Sequence, residues 1–257
     1  MELNNKIIGS GSPLIILHGL FGSLDNWMTI AKALEETRKI YLLDLRNHGK
    51  SPHSDVFDYN AMAEDIEEFT QKHNLDKFDL LGHSMGGKAA IKFALSNPGK
   101  VNKLIVVDIG PKFYPVHHAL ILRGLKSLAL ANITSRDQAD KILAEHIADF
   151  GTRQFLLKNL QRNESGFGWK MNLPAINDNI ENVGEDLTGL GIYNHPTLFI
   201  RGKNSDYIKD SDFEQITTQF PVSEIKTIEN AGHWVHAEQP EKLLEVLSQI
   251  LNLNLLS

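Results

Sequence analysis

The chain has 257 residues, 42% hydrophobic and 23% charged, enough for one large α/β domain or a domain carrying a sizeable insertion. A net charge of −6 with scattered basic residues leaves no footprint for nucleic acid and no polybasic patch for a membrane. With no cysteine, disulfides, thiolate catalysis and cysteine-based metal sites are excluded.

The polar start Met1-Glu2-Leu3-Asn4-Asn5 has no signal-peptide pattern, and no apolar run approaches the ~20 residues of a membrane span. A cytoplasmic location with no membrane partner is expected. Short apolar runs alternate with longer helical patterns, which predicts an α/β fold: a mostly parallel sheet of about seven strands flanked by helices. Residues 3–8 read as an edge strand, too short before the Gly9-Ser10-Gly11-Ser12-Pro13 turn to form an N-terminal hairpin. Strands follow at 14–17 and 39–44, with a helix over 25–37 between them. A helix over 59–73 precedes strand 78–81. A helix over 85–97 comes next, stopped by Asn97-Pro98-Gly99. Strand 103–108 follows, and most of these strands read as buried on both faces.

From 112 to 194 the alternation stops and helical patterns take over, at 117–131, 135–150, 154–161 and 174–182, with no convincing strand. Ser135 and Gln138 have capping-box spacing. Residues 112–194 are expected to be a helical cap inserted over the carboxyl ends of the strands, where ligands of α/β sheets bind. The core would then comprise residues 1–111 and 195–257, the latter with strands 197–200 and 224–228 and a helix over 240–251 begun by Pro240.

Gly82-His83-Ser84-Met85-Gly86 fits G-x-S-x-G between a strand and a helix. A strand that turns sharply into a helix lifts a serine hydroxyl above the sheet edge, and the flanking glycines permit the turn. The first helical amide, on Met85, then points at whatever Ser84 attacks. Two loops complete the pattern. The Gly-bearing stretch Leu17-His18-Gly19-Leu20-Phe21-Gly22 ends a central strand and is able to offer a second amide to an oxyanion. His233, in Ala231-Gly232-His233-Trp234, follows the last strand and lies where a loop histidine reaches the sheet centre. The order serine, acid, histidine matches the hydrolase order.

His18–Asn26, Asp44–Ser51, Gly82–Lys88, Asp108–Pro111, Phe199–Ser205 and Gly232–Glu238 occur in register along nearly the whole chain. Together they resemble the bacterial YbfF-type esterases of the α/β-hydrolase superfamily. The resemblance implies a serine hydrolase acting on short acyl esters, with acyl-CoA thioesters as a further class, a helical cap and no cofactor. It also bears on the acid. Many hydrolases of this fold carry the acid after the penultimate strand, where this chain reads Arg201-Gly202-Lys203-Asn204-Ser205-Asp206. Ser205 fills the expected place and Asp206 comes one residue late. In the resembled family the acid matches Asp108, which is therefore chosen over Asp206, with Ser205 bonding toward His233 or Asp108. The expected roles are Ser84 nucleophile, His233 base and Asp108 acid, with the amides of Leu20 and Met85 as the oxyanion hole.

Phe21, Trp169 and Trp234 are candidates for lining the substrate pocket, and Phe167 shares the cap with Trp169. His236 is a weaker candidate for a second base. His83 is expected to pack or brace a loop, and Arg46 and His48 to organise the loop after their strand, with a substrate contact from Arg46 a weaker option. His117 and His118 are expected to sit in a helix and point in different directions, with no metal site. A small-molecule ester or thioester is the expected partner of a monomer or homodimer. Carbon–carbon bond hydrolysis, perhydrolysis and a ligand-binding receptor on the same fold remain alternatives.

Overall fold

The computed structural model describes residues 1–164 and 166–252, so the last five residues of the expected core segment, 253–257, lie outside the described residues. The strands are β1 (Asn5–Ile8), β2 (Ser12–Leu17), β3 (Arg38–Leu43), β4 (Phe78–His83), β5 (Val101–Val107), β6 (Leu160–Asn163), β7 (Gly166–Trp169), β8 (Thr197–Gly202) and β9 (Ser223–Ile228). Seven of them form one sheet in the order β1-β3-β2-β4-β5-β8-β9. Every pairing in it is parallel except β1 with β3. β1 is thus an edge strand that pairs with β3 rather than folding back on β2, as its short lead predicts.

The alternation along each central strand explains why both faces are covered. Ile15, Leu17, Leu80, Leu104 and Val106 face one apolar cluster, which includes Met85, Ala89 and Phe93 of the helix Met85–Ser96. Leu14, Ile16, Leu81, Ile105 and Val107 face a second cluster closed by Trp27, Ile30 and Leu34 on one side and Leu243 and Leu247 of the helix Pro240–Leu251 on the other. A strand with apolar side chains on both faces is stable only between two layers, and the flanking helices supply them.

The expected helix over 25–37 divides into a 3-10 turn at Leu24–Trp27 and an α-helix at Met28–Leu34. The segment between β5 and β8 departs further from expectation. It holds helices at Ala119–Ser127, Arg136–Ala144, Phe150–Leu157 and Leu173–Asp178. It also holds the antiparallel pair β6 and β7, which the sequence reading missed. These two strands are four residues long, and β6 is exposed after Leu160, so neither has the apolar run or the alternation that marks a strand.

The expected helices over 135–150 and 154–161 have their ends set by side chains. Asp149 accepts from the Thr152 amide at 2.6 Å and so starts a new helix at Phe150. Arg136 donates to the carbonyl oxygens of Leu157 at 2.5 Å and Leu160 at 2.6 Å. Those bonds take up backbone groups at the end of the helix, and the chain leaves it for β6.

The segment is tied to the sheet at both ends. Lys88, fully buried in the helix Met85–Ser96, donates from Nζ to the carbonyl oxygens of Lys112 at 2.8 Å and of Glu185. The Leu187 amide donates to Pro111 O at 2.8 Å and the Tyr114 amide to Gly184 O at 3.0 Å. Tyr59 Oη donates to Val183 O at 2.8 Å. Among the described residues no helix is long and apolar enough to cross a membrane.

Candidate active site

Three strand ends deliver the central side chains. β4 ends at His83, and Ser84 turns the chain with φ +53° and ψ −119° before the helix begins at Met85. A non-glycine residue at positive φ is strained and persists only where its surroundings enforce it. Here the neighbouring glycines make room for the turn. A Cβ on Gly82 would collide with the Gly86 carbonyl oxygen, and one on Gly86 would sit 2.5 Å from the His18 carbonyl oxygen. The turn is closed by the Ser84 amide, which donates to Val107 O at 3.0 Å.

β5 ends one residue before Asp108, which also has positive φ, at +53°, and is completely buried. Its carboxylate is fully occupied. Oδ1 accepts from the Gly202 amide at 3.0 Å. Oδ2 accepts from His233 Nδ1 at 2.7 Å and from the Ser205 hydroxyl. His233, on the loop after β9, completes the line with Nε2 at 3.0 Å from Ser84 Oγ. The carboxylate holds the Nδ1 proton, which leaves Nε2 as the acceptor facing the serine. Asp206 is exposed and pairs with Lys209 at 3.3 Å, so it takes no part in this line.

Several aromatic groups hold the imidazole. Tyr207 stacks on His233 with ring centroids 3.9 Å apart and planes 16° apart. Tyr114 Oη donates to Tyr207 O at 2.6 Å and accepts from the Gly110 amide at 2.9 Å, which links the loop after β8 to the loop after β5. His83 Nε2 donates to His233 O at 2.8 Å, the bracing contact expected of it. Burial, with His233 and His236 nearby, pulls the His83 imidazole well below its usual range and keeps it neutral. His236 stacks on Trp27 at 4.5 Å, and burial pulls it down to about 3. Its ring contacts His83 edge-on at 4.9 Å rather than reaching the serine line as a second base.

The loop after β2 is braced by two further histidines. His18 Nε2 accepts from the Leu45 amide at 3.0 Å while Nδ1 donates to Gly19 O at 2.8 Å. His48 Nε2 accepts from the Phe21 amide at 3.1 Å while Nδ1 donates to Arg46 O at 2.9 Å. The backbone partners therefore determine both tautomers. Burial, helped by the neighbouring His18, pulls His48 down to about 3. This bracing holds Phe21 at φ +59°. The Leu20 and Met85 amides have no protein acceptor among the described residues, and both residues lie beside Ser84.

A cavity of about 290 Å³ opens on Ser84 and is bordered by Phe21, Trp234, Phe155 and Ile121 among others. Phe21 and Trp234 are therefore placed at the cavity as expected. Trp169 is not: it lies in β7 opposite Leu160, half-buried and packed against the large apolar cluster. Phe167 is in the same strand and also misses the cavity. Phe155 and Leu156 take that place, because the helix over Phe150–Leu157, not β7, faces the serine. Arg46 also misses the cavity. Its guanidinium is buried against Asp65 at 2.7 and 2.9 Å and donates to Val56 O and Ala61 O.

His117 and His118 precede the helix Ala119–Ser127 rather than lying within it. Their ring centroids lie 4.2 Å apart with the planes tilted by 32°, and both border the cavity, contrary to the divergent directions a helix would impose. His117 Nε2 lies 2.6 Å from Tyr207 Oη. Tyr207, Tyr114 and His118 carried no motif in the sequence; only the fold brings them to the serine.

The family model for the α/β hydrolase fold matches residues 12–123. The chain is 36% identical over 244 residues to Esterase YbfF of Escherichia coli (strain K12), covering 95% of this chain and 94% of that protein. It is 39% identical over 252 residues to sn-1-specific diacylglycerol lipase ABHD11 of Danio rerio, covering 95% of this chain and 78% of that protein. Among solved structures, a marine microorganism esterase superposes with a TM-score of 0.94 at 43% identity, over 96% of this chain and 98% of that one. The resemblance, the seven-stranded sheet and these relatives agree: the chain belongs to the α/β-hydrolase family and is a hydrolase of the esterase/lipase type.

Proposed function

We propose that the protein is a serine esterase working through Ser84, His233 and Asp108, with an acyl-enzyme intermediate. The observation that carries this reading is the continuous line from Ser84 Oγ to His233 Nε2 at 3.0 Å and from His233 Nδ1 to Asp108 Oδ2 at 2.7 Å. His233 takes the serine proton as Oγ bonds to the acyl carbon, and Asp108 stabilises the imidazolium that forms. The Leu20 and Met85 amides receive the oxyanion; losing one such donor typically costs about 10²–10³ in rate. As the tetrahedral carbon collapses, its bond to the leaving group breaks and His233 protonates that group. Water then bonds to the acyl carbon, giving its proton to His233, and the acid departs as Ser84 recovers its hydrogen.

Ser205 is a positioning residue that holds Asp108. Residues 112–194 act as the cap, supplying the cavity wall from Phe155, Leu156, His117 and His118. The substrates are small acyl esters of short to medium chain, with thioesters open to the same chemistry. Release of p-nitrophenol from acetate, butyrate and octanoate esters, with Ser84→Ala alongside, tests the reading. Turnover lost in the variant supports it. Equal turnover in both proteins, or none in folded wild type, overturns it, the latter in favour of a ligand receptor.

A further inference from the structure

The loop after β2 is fastened at three successive peptides. Gly19 O accepts from the Gly22 amide at 2.9 Å and from His18 Nδ1 at 2.8 Å. The Phe21 amide donates to His48 Nε2 at 3.1 Å. Phe21 O accepts from Asn159 Nδ2 at 2.7 Å. The first two fastenings come from the core. The third comes from the segment between β5 and β8, 138 residues further along the chain.

This third bond bears on a strained residue. The bond from Gly22 to Gly19 closes a turn with Phe21 at its third position, where φ is +59°. Glycine or asparagine suits that place, and a phenylalanine stays there only where its surroundings hold it. His48 holds the peptide before Phe21 and Asn159 the peptide after it. Both side chains are buried, which shields the two bonds from competing water.

Asn159 is itself rigidly mounted. It stands between the helix Phe150–Leu157 and β6. Its amide donates to Leu156 O at 3.0 Å, and its carbonyl oxygen accepts from the Lys170 amide at 2.8 Å, which extends the ladder of β6 and β7 by one bond. Arg136 donates to the carbonyl oxygens of Leu157 and Leu160, on either side of it. Nδ2 faces two carbonyl oxygens, that of Phe21 and, at 3.3 Å, that of Leu156, so the side-chain amide presents its donors to the loop.

Resting on the esterase reading above, we infer that Asn159 is a positioning residue for the oxyanion hole: through Phe21 O it fixes the turn that aims the Leu20 amide. An amide stabilises an oxyanion best when it is aimed before the charge forms. Leu20 lies inside the turn, between Gly19 and the strained Phe21. Release of Phe21 O lets Phe21 leave positive φ and turns Leu20 with it. The inserted segment thus takes part in catalysis as well as walling the cavity, and β6 and β7 are the mount of Asn159.

The test compares wild type with Asn159→Ala and with the nearly isosteric Asn159→Asp, which puts an acceptor where the donor stood. Urea unfolding checks that each is folded, and either serves if the other is not. On p-nitrophenyl acetate, kcat is expected to fall about tenfold or more, toward the ~10²–10³ that deletion of an oxyanion donor costs, with KM within about twofold. Affinity for phenylboronic acid should fall by the same factor as kcat. Its boron bonds to Ser84 Oγ while His233 takes the serine proton, and the tetrahedral, negatively charged adduct mimics the transition state. The acid limb of the pH profile of kcat/KM should stay in place, because His233 is untouched. In a Phe21→Gly background, where positive φ costs nothing, Asn159→Ala should lower kcat by about threefold or less.

Unchanged boronate affinity in a folded Asn159 variant, a loss confined to KM, or a shifted acid limb overturns the inference and leaves the serine esterase intact. So does an Asn159→Ala effect that persists in full beside Phe21→Gly. Turnover that survives Ser84→Ala instead overturns the esterase reading, and the role of Asn159 with it.

Discussion

Asp108 is where a single residue decides most. Its Oδ2 serves both His233 and Ser205, and its Oδ1 the Gly202 amide. Asp108→Asn is expected to keep the fold and lower kcat about 10⁴-fold, because the amide favours the wrong imidazole tautomer. Ser205→Ala removes one donor to the carboxylate, and kcat should fall about 10- to 100-fold, the scale of one hydrogen bond to a charged group, with KM within about twofold. Ser205→Thr, which restores the hydroxyl, should recover most of that loss, an outcome that a purely structural role would not give. Asp206→Asn should change neither constant beyond about twofold, since Asp206 is exposed and pairs with Lys209, itself exposed, away from the serine line. Steady-state kinetics on p-nitrophenyl acetate read all four variants. Asp108 was legible as the candidate acid because the usual acid position holds a serine and the resembled family carries its acid at the matching aspartate. That this serine bonds Asp108 was one of two options until the fold placed its hydroxyl.

The helix Met85–Ser96 has two duties at the element scale. Its first turn must approach β2 closely, and its fourth residue, Lys88, anchors both ends of the segment between β5 and β8. Gly86→Ala places a Cβ against the backbone of Leu17 and His18, where no side chain is free to yield. The expected cost is about 3 kcal/mol or more, the upper end of overpacking, read by urea unfolding. Gly99→Ala is the control: nothing lies within 4 Å of the added carbon, and stability should stay within about 0.5 kcal/mol.

Lys88→Met should lose about 1–3 kcal/mol by stranding the Lys112 and Glu185 carbonyls. The same residue carries a pH signature. Burial pulls the Lys88 ammonium down to about 8 from 10.5. The folded state releases this proton first, so the contribution of Lys88 to stability rises between pH 8 and 10.5. The stability gap between wild type and Lys88→Met should widen over that window in urea titrations.

At the scale of the whole molecule, buried neutral histidines control the response to acid. Burial holds His48, His118 and His236 near about 3. Burial also lowers His18, and lowers His83 well below its usual range. In the unfolded chain each of these rings takes a proton near 6.5. Their contribution is fully present above about pH 6.5 and is lost as pH falls from 6.5 toward 3, because the unfolded state binds the protons first. The urea midpoint should therefore fall steeply between pH 6.5 and 4. His48→Gln should reduce that dependence by about one proton, and an unchanged slope would contradict the burial of His48 as neutral.

The strands, the elbow serine and the loop histidine were legible because they obey local rules. Central strands such as 14–17 are apolar throughout, a glycine-flanked serine between strand and helix has few other uses, and Pro98-Gly99 ends a helix wherever it occurs. The order of motifs along the chain also made the family legible. The tertiary structure alone decided which face of the segment between β5 and β8 meets the serine. Trp169, an obvious pocket residue by type, turns into the packing of β6 and β7, while Phe155, Leu156, His117 and His118 reach the cavity. Tyr207 stacks on His233 because the loops after the neighbouring strands β8 and β9 converge, and Arg46 turns to Asp65 instead of the substrate. Periodicity records which side chains of a helix are apolar, but not the surface they are buried against. That surface is built by residues far away in the chain, and so the walls of the pocket, and with them the size of acyl group admitted, exist only in the folded molecule.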